Sequence, residues 1–341
     1  MRDFHGEEFE GAERFLNSAT YGLPSRRQTE ALRGALRSWE LGELAPANFD
    51  ESVALARDAF ARLAGVPVET VAMGGSVSAL LGLIAASLPD GSTVATFEGE
   101  FTSVSAPFDA QGRGITVTAL APGELERRAG EFDVVAVSLV QSSDGRVLDT
   151  TTLRAATVGK ATRVILDVTQ AMGWMRLDVA WADAVVGGSY KWLLSPRGAA
   201  WLAVQPTLEA ELTAHAANWY SSETPWANTY ALPSLQAPDA RRLDASPAWF
   251  TLLGAGIAMP WLASLDAAEV HAHCVSLANS ARDALGLEHA DSAIFPITTP
   301  DAAPRLDAAG IRAAIRAGRA RVSFHLYNTQ ADVDALVAAL R

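Results

Sequence analysis

Short apolar runs rich in β-branched residues recur through the first two thirds of the chain, and each is bounded by turn formers. They are TVATF (93–97), ITVTAL (115–120), DVVAVSLV (133–140), RVILDV (163–168) and DAVVGG (183–188). Helical patterns precede them at 51–65 and 76–91, where apolar residues recur at a spacing of 3.6 and Gly65 and Pro89 end the patterns. Continuous apolar strands among helices favour a mostly parallel sheet that is covered on both faces. We therefore predict an α/β fold.

The last third of the chain has a different pattern. Residues 206–250 are rich in Trp, Tyr, Ser and Pro without a clear period, and a long loop of this kind is often functional. Its aromatic part, 218–230, suits a pocket wall and a subunit interface equally well. Beyond it we predict helices over 251–287, a strand at 292–299, a helix over 304–318, a strand at 320–327 and a final helix, which together make a smaller α+β unit.

Charge and composition exclude several functions. The net charge of −12 and the pI near 5.0 argue against a nucleic-acid partner, because no concentrated basic face is visible. No apolar run reaches the ~18 residues of a membrane span, and the acidic N-terminus lacks a signal-type apolar region. We expect a cytoplasmic protein. The single cysteine, Cys274, has only His271 and His273 nearby, so we expect no metal site.

Lysine is almost absent from the sequence. The chain contains two lysines, Lys160 and Lys191, and arginine supplies the remaining positive charge. Lys191 lies between two aromatic residues in GGSYKWLLSPRG, directly after an apolar run. A guanidinium stays protonated, whereas a lysine that is partly desolvated offers a free amine. The retention of a lysine here indicates chemistry that arginine does not perform.

Three polar positions follow apolar runs at the ends where an open α/β sheet binds its ligands. Gly75 and Ser76 precede a predicted helix, whose free N–H groups and dipole suit a phosphate. Asp167 ends a strand and Gln170 follows it, while Lys191 follows the next strand. A lysine amine forms a Schiff base with an aldehyde, and a carboxylate keeps a pyridine nitrogen protonated. A phosphate cradle, a carboxylate and a lysine in this order predict pyridoxal 5'-phosphate chemistry.

With these motifs the chain resembles the class V aminotransferase family of fold-type I pyridoxal phosphate enzymes. The family also contains cysteine desulfurases and relatives of isopenicillin N epimerase and kynureninase. The likeness runs from FLNSATYGLP near the start to RVSFHLYNTQADVDALVAAL at the end. It implies a large cofactor-binding domain at 17–235 after an N-terminal segment at 1–16. It also implies a smaller α+β domain at 236–341, with an interdomain helix near 250–265.

The resemblance implies roles for the strand-end residues. Lys191 would bind the cofactor aldehyde, Asp167 would pair with the pyridinium nitrogen, and Gln170 would hydrogen-bond the 3-oxygen of the ring. The other cofactor contacts that it implies are Gly75, Ser76 and Val77 at the phosphate, Phe101 stacked on the ring, Gln141 and Tyr190. Arg321 would grip the α-carboxylate of the substrate.

The resemblance also implies a homodimer with shared sites. Ser246, in DASPAWF, matches a hydroxyl residue that reaches the phosphate in the neighbouring subunit. At position 101 many members carry a histidine where this chain has phenylalanine, which keeps the stacking and removes an acid/base group.

The sequence narrows the set of possible reactions but does not identify one of them. An aminotransferase acting on an α-amino acid fits best, while a C–S lyase, a kynureninase-like hydrolase and an epimerase share its first step. Because Cys274 lies upstream of the loop that carries the desulfurase cysteine, we expect that the protein is not an ordinary cysteine desulfurase. A non-catalytic binding module is a remote alternative. A nicotinamide-dependent dehydrogenase is disfavoured, because no G-x-G-x-x-G follows the first strand.

Overall fold

The computed structural model describes residues 1–341 of the chain. At the N-terminus a short antiparallel pair, β1 (Arg2–Phe4) and β2 (Glu7–Phe9), precedes the helices α1 (Arg26–Glu40) and α2 (Asp50–Ala64). Helix α2 ends as predicted at Gly65, which takes the left-handed conformation with a φ of 68°.

A seven-stranded sheet forms the centre of the molecule, as the alternating pattern predicts. Its strands are β3 (Val71–Gly74), β4 (Thr93–Phe97), β5 (Thr116–Leu120), β6 (Val134–Ser138), β7 (Arg163–Asp167), β8 (Ala184–Gly188) and β9 (Ala200–Val204). They lie in the order β3-β9-β8-β7-β6-β4-β5, and only β9 runs against the others. The carboxyl ends of β3, β6, β7 and β8 therefore meet at one edge of the sheet.

Helices connect the strands and cover the sheet. They are α3 (Val77–Ser87), α4 (Thr102–Asp109), α5 (Glu124–Arg128), α6 (Thr150–Thr157) and the single turn α7 (Pro206–Glu209). Every residue of β6 and β8 is buried, because apolar side chains from helices on both faces pack against them. This burial explains why the strands are continuous apolar runs without alternation.

The C-terminal third folds as an α+β unit. Its elements are α8 (Trp249–Leu262), α9 (Ala267–Ala284), β10 (Ile294–Ile297), α10 (Ala302–Ala308), β11 (Ala314–Arg316), β12 (Arg319–Ser323) and α11 (Gln330–Leu340). Strand β12 pairs with β10 and β11 in a three-stranded antiparallel sheet. A separate apolar cluster, to which the N-terminal segment contributes Leu16, fills the space between this sheet and its helices. The domain boundaries themselves stay a prediction.

The predicted helix over 304–318 is wrong in its second half. Helix α10 ends at Ala308, and Gly310 adopts a left-handed conformation with a φ of 69°. The chain then forms β11, and Ala317 and Gly318 turn it into β12 with positive φ values. The alanine-rich sequence carries helix propensity, but pairing with β12 overrides it.

No single helix is long and apolar enough to cross a bilayer. Helices α8 and α9 would meet that test only when taken together, and they are bent by 94° relative to each other.

Candidate active site

A cavity opens at the carboxyl edge of the large sheet. Its wall includes Gly75, Ser76 and Val77 after β3, Asp167 and Gln170 after β7, and Tyr190 and Lys191 after β8, with Phe101. Residues far apart in the chain meet here because the strands that carry them run in the same direction.

Lys191 is buried but points a free amine towards the cavity. Its side chain is 5% exposed, and no hydrogen bond engages Nζ. The amine lies 5.3 Å from the centre of the Phe101 ring and 5.6 Å from that of Tyr190. Burial lowers the pKa of the Lys191 amine to about 8; the charge of Asp167 opposes this shift, and that of Arg321 adds to it.

The backbone around Lys191 is held from two sides. Gly22 donates its N–H to the Tyr190 carbonyl at 2.9 Å, and any Cβ at position 22 would overlap the Lys191 carbonyl oxygen. Behind the lysine, His325 donates from Nε2 to the Trp192 carbonyl at 3.0 Å. The chain just before α1 and the C-terminal unit thus both fix the loop that carries the amine.

Asp167 offers one carboxylate oxygen to the cavity. The other oxygen accepts the Thr169 N–H at 2.7 Å. Burial raises the pKa of Asp167 to about 6, although the hydrogen bonds from Thr169 and the charge of Lys191 lower it. A buried carboxylate with a free oxygen suits a cationic N–H partner.

Ser76 begins helix α3 at the cavity wall. Its Oγ accepts the Ala79 N–H at 3.2 Å, and its backbone is extended, as in an N-cap. The first N–H groups of α3 have no partner within the helix and lie at the positive end of its dipole. Added to that, a Cβ built on Gly75 meets no atom within 4 Å, so the backbone borders open space. These features fit a phosphate group.

Gln170 lies in the wall with its amide already engaged. Nε2 donates to the Ala19 carbonyl at 2.9 Å and to Ser142 Oγ at 3.1 Å, while Oε1 accepts the Trp192 indole N–H at 2.9 Å. The contact with a ring oxygen that the resemblance implies stays a prediction.

Gln141 does not line the cavity. Its amide donates to Glu100 Oε2 at 2.9 Å, within a buried network that the sequence did not reveal. The Glu100 carboxylate also accepts the Phe101 N–H and both donors of Ser138. It thereby ties Phe101 to the end of β6. The predicted cofactor contact of Gln141 is untested.

Arg321 is buried beside the cavity, at 1% exposure. Its Nη1 donates to the carbonyl and, at 3.2 Å, to Oγ of Ser142, and its Nη2 donates to Thr20 Oγ1 at 2.9 Å. One further N–H on Nη2 and the N–H on Nε have no partner. Burial, with the charge of Arg316, lowers the pKa of Arg321 to about 10.

Ser246 lies outside this cavity. It is exposed and makes no hydrogen bond within its own chain. Its role in a neighbouring subunit is untested.

Sequence reasoning missed several residues around the cavity, namely Thr20, Glu100, Ser138, Ser142, Thr169 and Arg197. Ser142 follows the apolar run 133–140, so the strand-end rule that selected Asp167 could have found it. Thr20 lies between β2 and α1, and no local pattern connects it to the site.

The residues from 49 to 294, more than half of the chain, match the family model described as aminotransferase class-V. A comparison with curated proteins gives no match.

Solved structures of the same fold cover almost the whole chain. The cysteine desulfurase CsdA of Escherichia coli is 20% identical with a TM-score of 0.79, over 96% of this chain and 94% of that one. The cystine C–S lyase C-DES, solved with its reaction product cysteine persulfide, is 16% identical with a TM-score of 0.82, over 96% and 97%. A cysteine desulfurase from Thermococcus onnurineus NA1 is 15% identical with a TM-score of 0.81, over 96% and 94%. These likenesses confirm the fold-type I architecture.

The exclusion of a cysteine desulfurase was wrong. Cysteine desulfurases are among the structures that this chain matches over nearly its full length. Cys274 is indeed buried in α9 at 0% exposure, and burial raises the pKa of its thiol. However, the product of C-DES is a cysteine persulfide, and sulfur that leaves on a small molecule needs no protein thiol to carry it. A missing loop cysteine is therefore no ground for excluding cleavage of a C–S bond.

Proposed function

The chain belongs to the class V aminotransferase family, and from this membership we propose that it is a pyridoxal 5'-phosphate-dependent enzyme acting on an α-amino acid. One observation carries the proposal: the unpartnered amine of Lys191 and the free oxygen of Asp167 line the same cavity. A variant of C-DES, in which a lysine is replaced by alanine, was solved with glycine covalently linked to its PLP cofactor.

Three groups would hold the cofactor. The N-terminus of α3, with Gly75 and Ser76, would bind the phosphate through backbone N–H groups. The Phe101 ring would pack on a face of the heterocycle, and the free oxygen of Asp167 would accept the pyridinium N–H. When bound, the cofactor supplies an aldehyde and an electron-withdrawing ring that stabilises negative charge at the substrate α-carbon.

Lys191 would serve as nucleophile and as base. Because the pKa of the Lys191 amine is about 8, about one tenth of the molecules carry a deprotonated amine at pH 7. For an ordinary lysine that fraction is ~0.03%. Once a substrate amine has displaced it, the same Nζ would accept the α-proton and return it. Arginine would do neither, because it does not lose its proton at this pH.

Arg321 would orient the substrate. Its free N–H groups on Nε and Nη2 suit one carboxylate in a bidentate pair, and Ser142 and Thr20 fix the guanidinium through its other donors. Burial excludes water from this pair, which strengthens it. The α-carbon would then be held between Arg321 and Lys191.

Two reactions fit this arrangement. Transamination, the reaction for which the family is described, would need Lys191 to deliver the proton to an atom other than the α-carbon and would release a keto acid. The second candidate is β-elimination at a C–S bond, favoured by the likeness to C-DES and the desulfurases. Both need the same base, and they differ in whether the substrate side chain carries a leaving group.

The lysine content of the chain permits a direct test. Holoprotein reduced with borohydride should carry the cofactor on Lys191 alone, because the only other lysine, Lys160, lies away from the cavity. We expect Lys191→Ala to lose the covalent label and to lower turnover by at least ~10³-fold, since it removes both nucleophile and base. Peptide mass spectrometry and visible absorbance measure the attached cofactor, product formation measures turnover, and Lys160→Ala is the matched control.

A label on Lys160, or an unchanged absorbance band in Lys191→Ala, would refute the assignment. The reaction type is read from products with the same protein. Keto-acid formation that depends on a second keto acid identifies an aminotransferase, whereas release of pyruvate with sulfide or persulfide identifies the lyase.

A further inference from the structure

A second arginine lies beside Arg321 on the same face of the β11–β12 hairpin. In the antiparallel register Ala314 is opposite Arg321, and Arg316 is opposite Arg319. Residues that face each other across a ladder, and residues two apart along a strand, share one face of the sheet. Arg316 is therefore the diagonal neighbour of Arg321, and the small side chain of Ala314 leaves room between them.

Both guanidiniums converge on the hydroxyl of Thr20. Arg321 donates from Nη2 at 2.9 Å, and Arg316 donates from its own Nη2 at 3.4 Å. The guanidinium of Arg316 makes one other hydrogen bond, from Nη1 to the Ile315 carbonyl at 2.7 Å. Its remaining donors have no partner in the chain.

No carboxylate neutralises this pair. Neither arginine forms a salt bridge, whereas the buried Arg57 is paired with Asp244 at 2.6 Å. The buried Arg282, which also lacks an acidic partner, instead donates to three backbone carbonyls and an amide oxygen. Like charges so close together oppose folding. An anionic ligand would remove that cost.

The charge of Arg316 reaches the reacting groups. Together with burial, it lowers the pKa of both Lys191 and Arg321. Arg316 is only partly buried, so a ligand can reach its guanidinium. The cation therefore lies beside Arg321, which we propose to bind the substrate α-carboxylate, and both arginines contact Thr20.

We infer that Arg316 selects amino acids with a second carboxylate, so that the enzyme prefers dicarboxylic substrates of the aspartate and glutamate type. This inference rests on the proposed function. Arg321 has two free donors, which one α-carboxylate satisfies, so the charge of Arg316 is left for a separate anionic group. A neutral side chain would leave that guanidinium unpaired beside Arg321.

The test is a visible-absorbance titration of the holoprotein at constant ionic strength with two matched pairs, L-aspartate against L-asparagine and L-glutamate against L-glutamine. We expect at least one acid to bind ~10-fold or more tightly than its amide, since a charge-assisted pair is lost in the amide. Arg316→Gln should bring that ratio to within about 3-fold and leave the affinity for the amide nearly unchanged. Arg319→Gln is the matched control, because this exposed arginine lies on the same face without contacting Thr20, and it should keep the wild-type ratio.

Two results would overturn the inference: no preference for either acid in the wild type, or an equal loss of acid and amide binding in Arg316→Gln. The second result would assign Arg316 to the α-carboxylate. If no amino acid changes the absorbance of the wild type at all, the proposed function fails and this inference fails with it. A thermal melt of each variant checks that the fold is retained.

Discussion

In the proposed function Lys191 would act as a nucleophile only as a free amine, and its surroundings set what fraction of the amine is free. Desolvation disfavours the ammonium form, and the neighbouring arginines add like-charge repulsion. The charge of Asp167 raises the pKa of the Lys191 amine, which keeps the net lowering moderate. The aromatic neighbours of the lysine predicted its desolvation from the sequence, but the charges that act on its pKa became visible only in the structure.

This balance predicts the pH dependence of cofactor attachment. Because the pKa of Lys191 is lowered to about 8, the rate at which apoprotein couples to pyridoxal phosphate should rise ~10-fold per pH unit below 8 and level off above it. Stopped-flow absorbance between pH 6 and pH 10 measures this rate. N-acetyl-lysine is the control for the pH dependence of the aldehyde itself, and its rate should still climb above pH 9. A protein rate that climbs in parallel with this control would contradict the prediction.

At the scale of elements, the carboxyl ends of the parallel strands determine where the candidate site lies. Strands β7 and β8 are neighbours in the sheet, so Asp167 and Lys191 emerge side by side although 24 positions separate them in sequence. Strand β3 joins the same edge through β9, which runs against its neighbours. The apolar runs predicted β7 and β8, but β9 was not predicted, although the turn formers Gly198 and Pro206 bound its short apolar run.

The N-terminus of α3 combines a structural and a binding role, and substitution of Ser76 can separate them. Asparagine and aspartate both cap helices as well as serine does, so Ser76→Asn and Ser76→Asp should each keep thermal stability within about 1 kcal/mol. Aspartate also places a negative charge where the phosphate would bind. We therefore expect Ser76→Asp to weaken cofactor affinity by at least ~10-fold relative to Ser76→Asn.

Equilibrium dialysis with pyridoxal phosphate measures the affinities, and the asparagine variant controls for side-chain size. Equal affinity in the two variants would mean that the phosphate binds elsewhere. Ser76→Ala completes the series, because loss of the cap alone should cost about 1 kcal/mol of stability.

At the scale of the whole molecule, Ser246 raises the question of a second subunit. It is exposed and absent from the cavity of its own chain, and we propose that it reaches the phosphate site of a partner in a homodimer. A two-fold dimer of this kind carries two shared sites.

Mixed dimers provide the test. Lys191→Ala and Ser246→Asp subunits should each be nearly inactive alone. Unfolded together in equal amounts and refolded, they should recover about a quarter of wild-type activity, because half of the dimers are mixed and each restores one site. Lys191→Ala mixed with Asp167→Asn is the control, since both residues line one cavity in the same chain and no mixture restores them. Recovery no greater than in this control would place Ser246 outside the partner's site.

The amino-acid sequence by itself determined the mostly parallel sheet and the turn before α3, and it predicted that Asp167 and Lys191 belong to one site. These features are local, because apolar periodicity, helix caps and strand ends are encoded within a few neighbouring residues. Only the tertiary structure decided that Thr20 joins Arg316 to Arg321, that Glu100 anchors Phe101, and that residues 314–316 form a strand and not a helix. The contacts of Thr20 join positions 296 and 301 residues apart, and Glu100 also binds Ser138, 38 positions away, so no local pattern specifies them. Residues 314–316 carry helix propensity, and only their pairing with β12 makes them a strand.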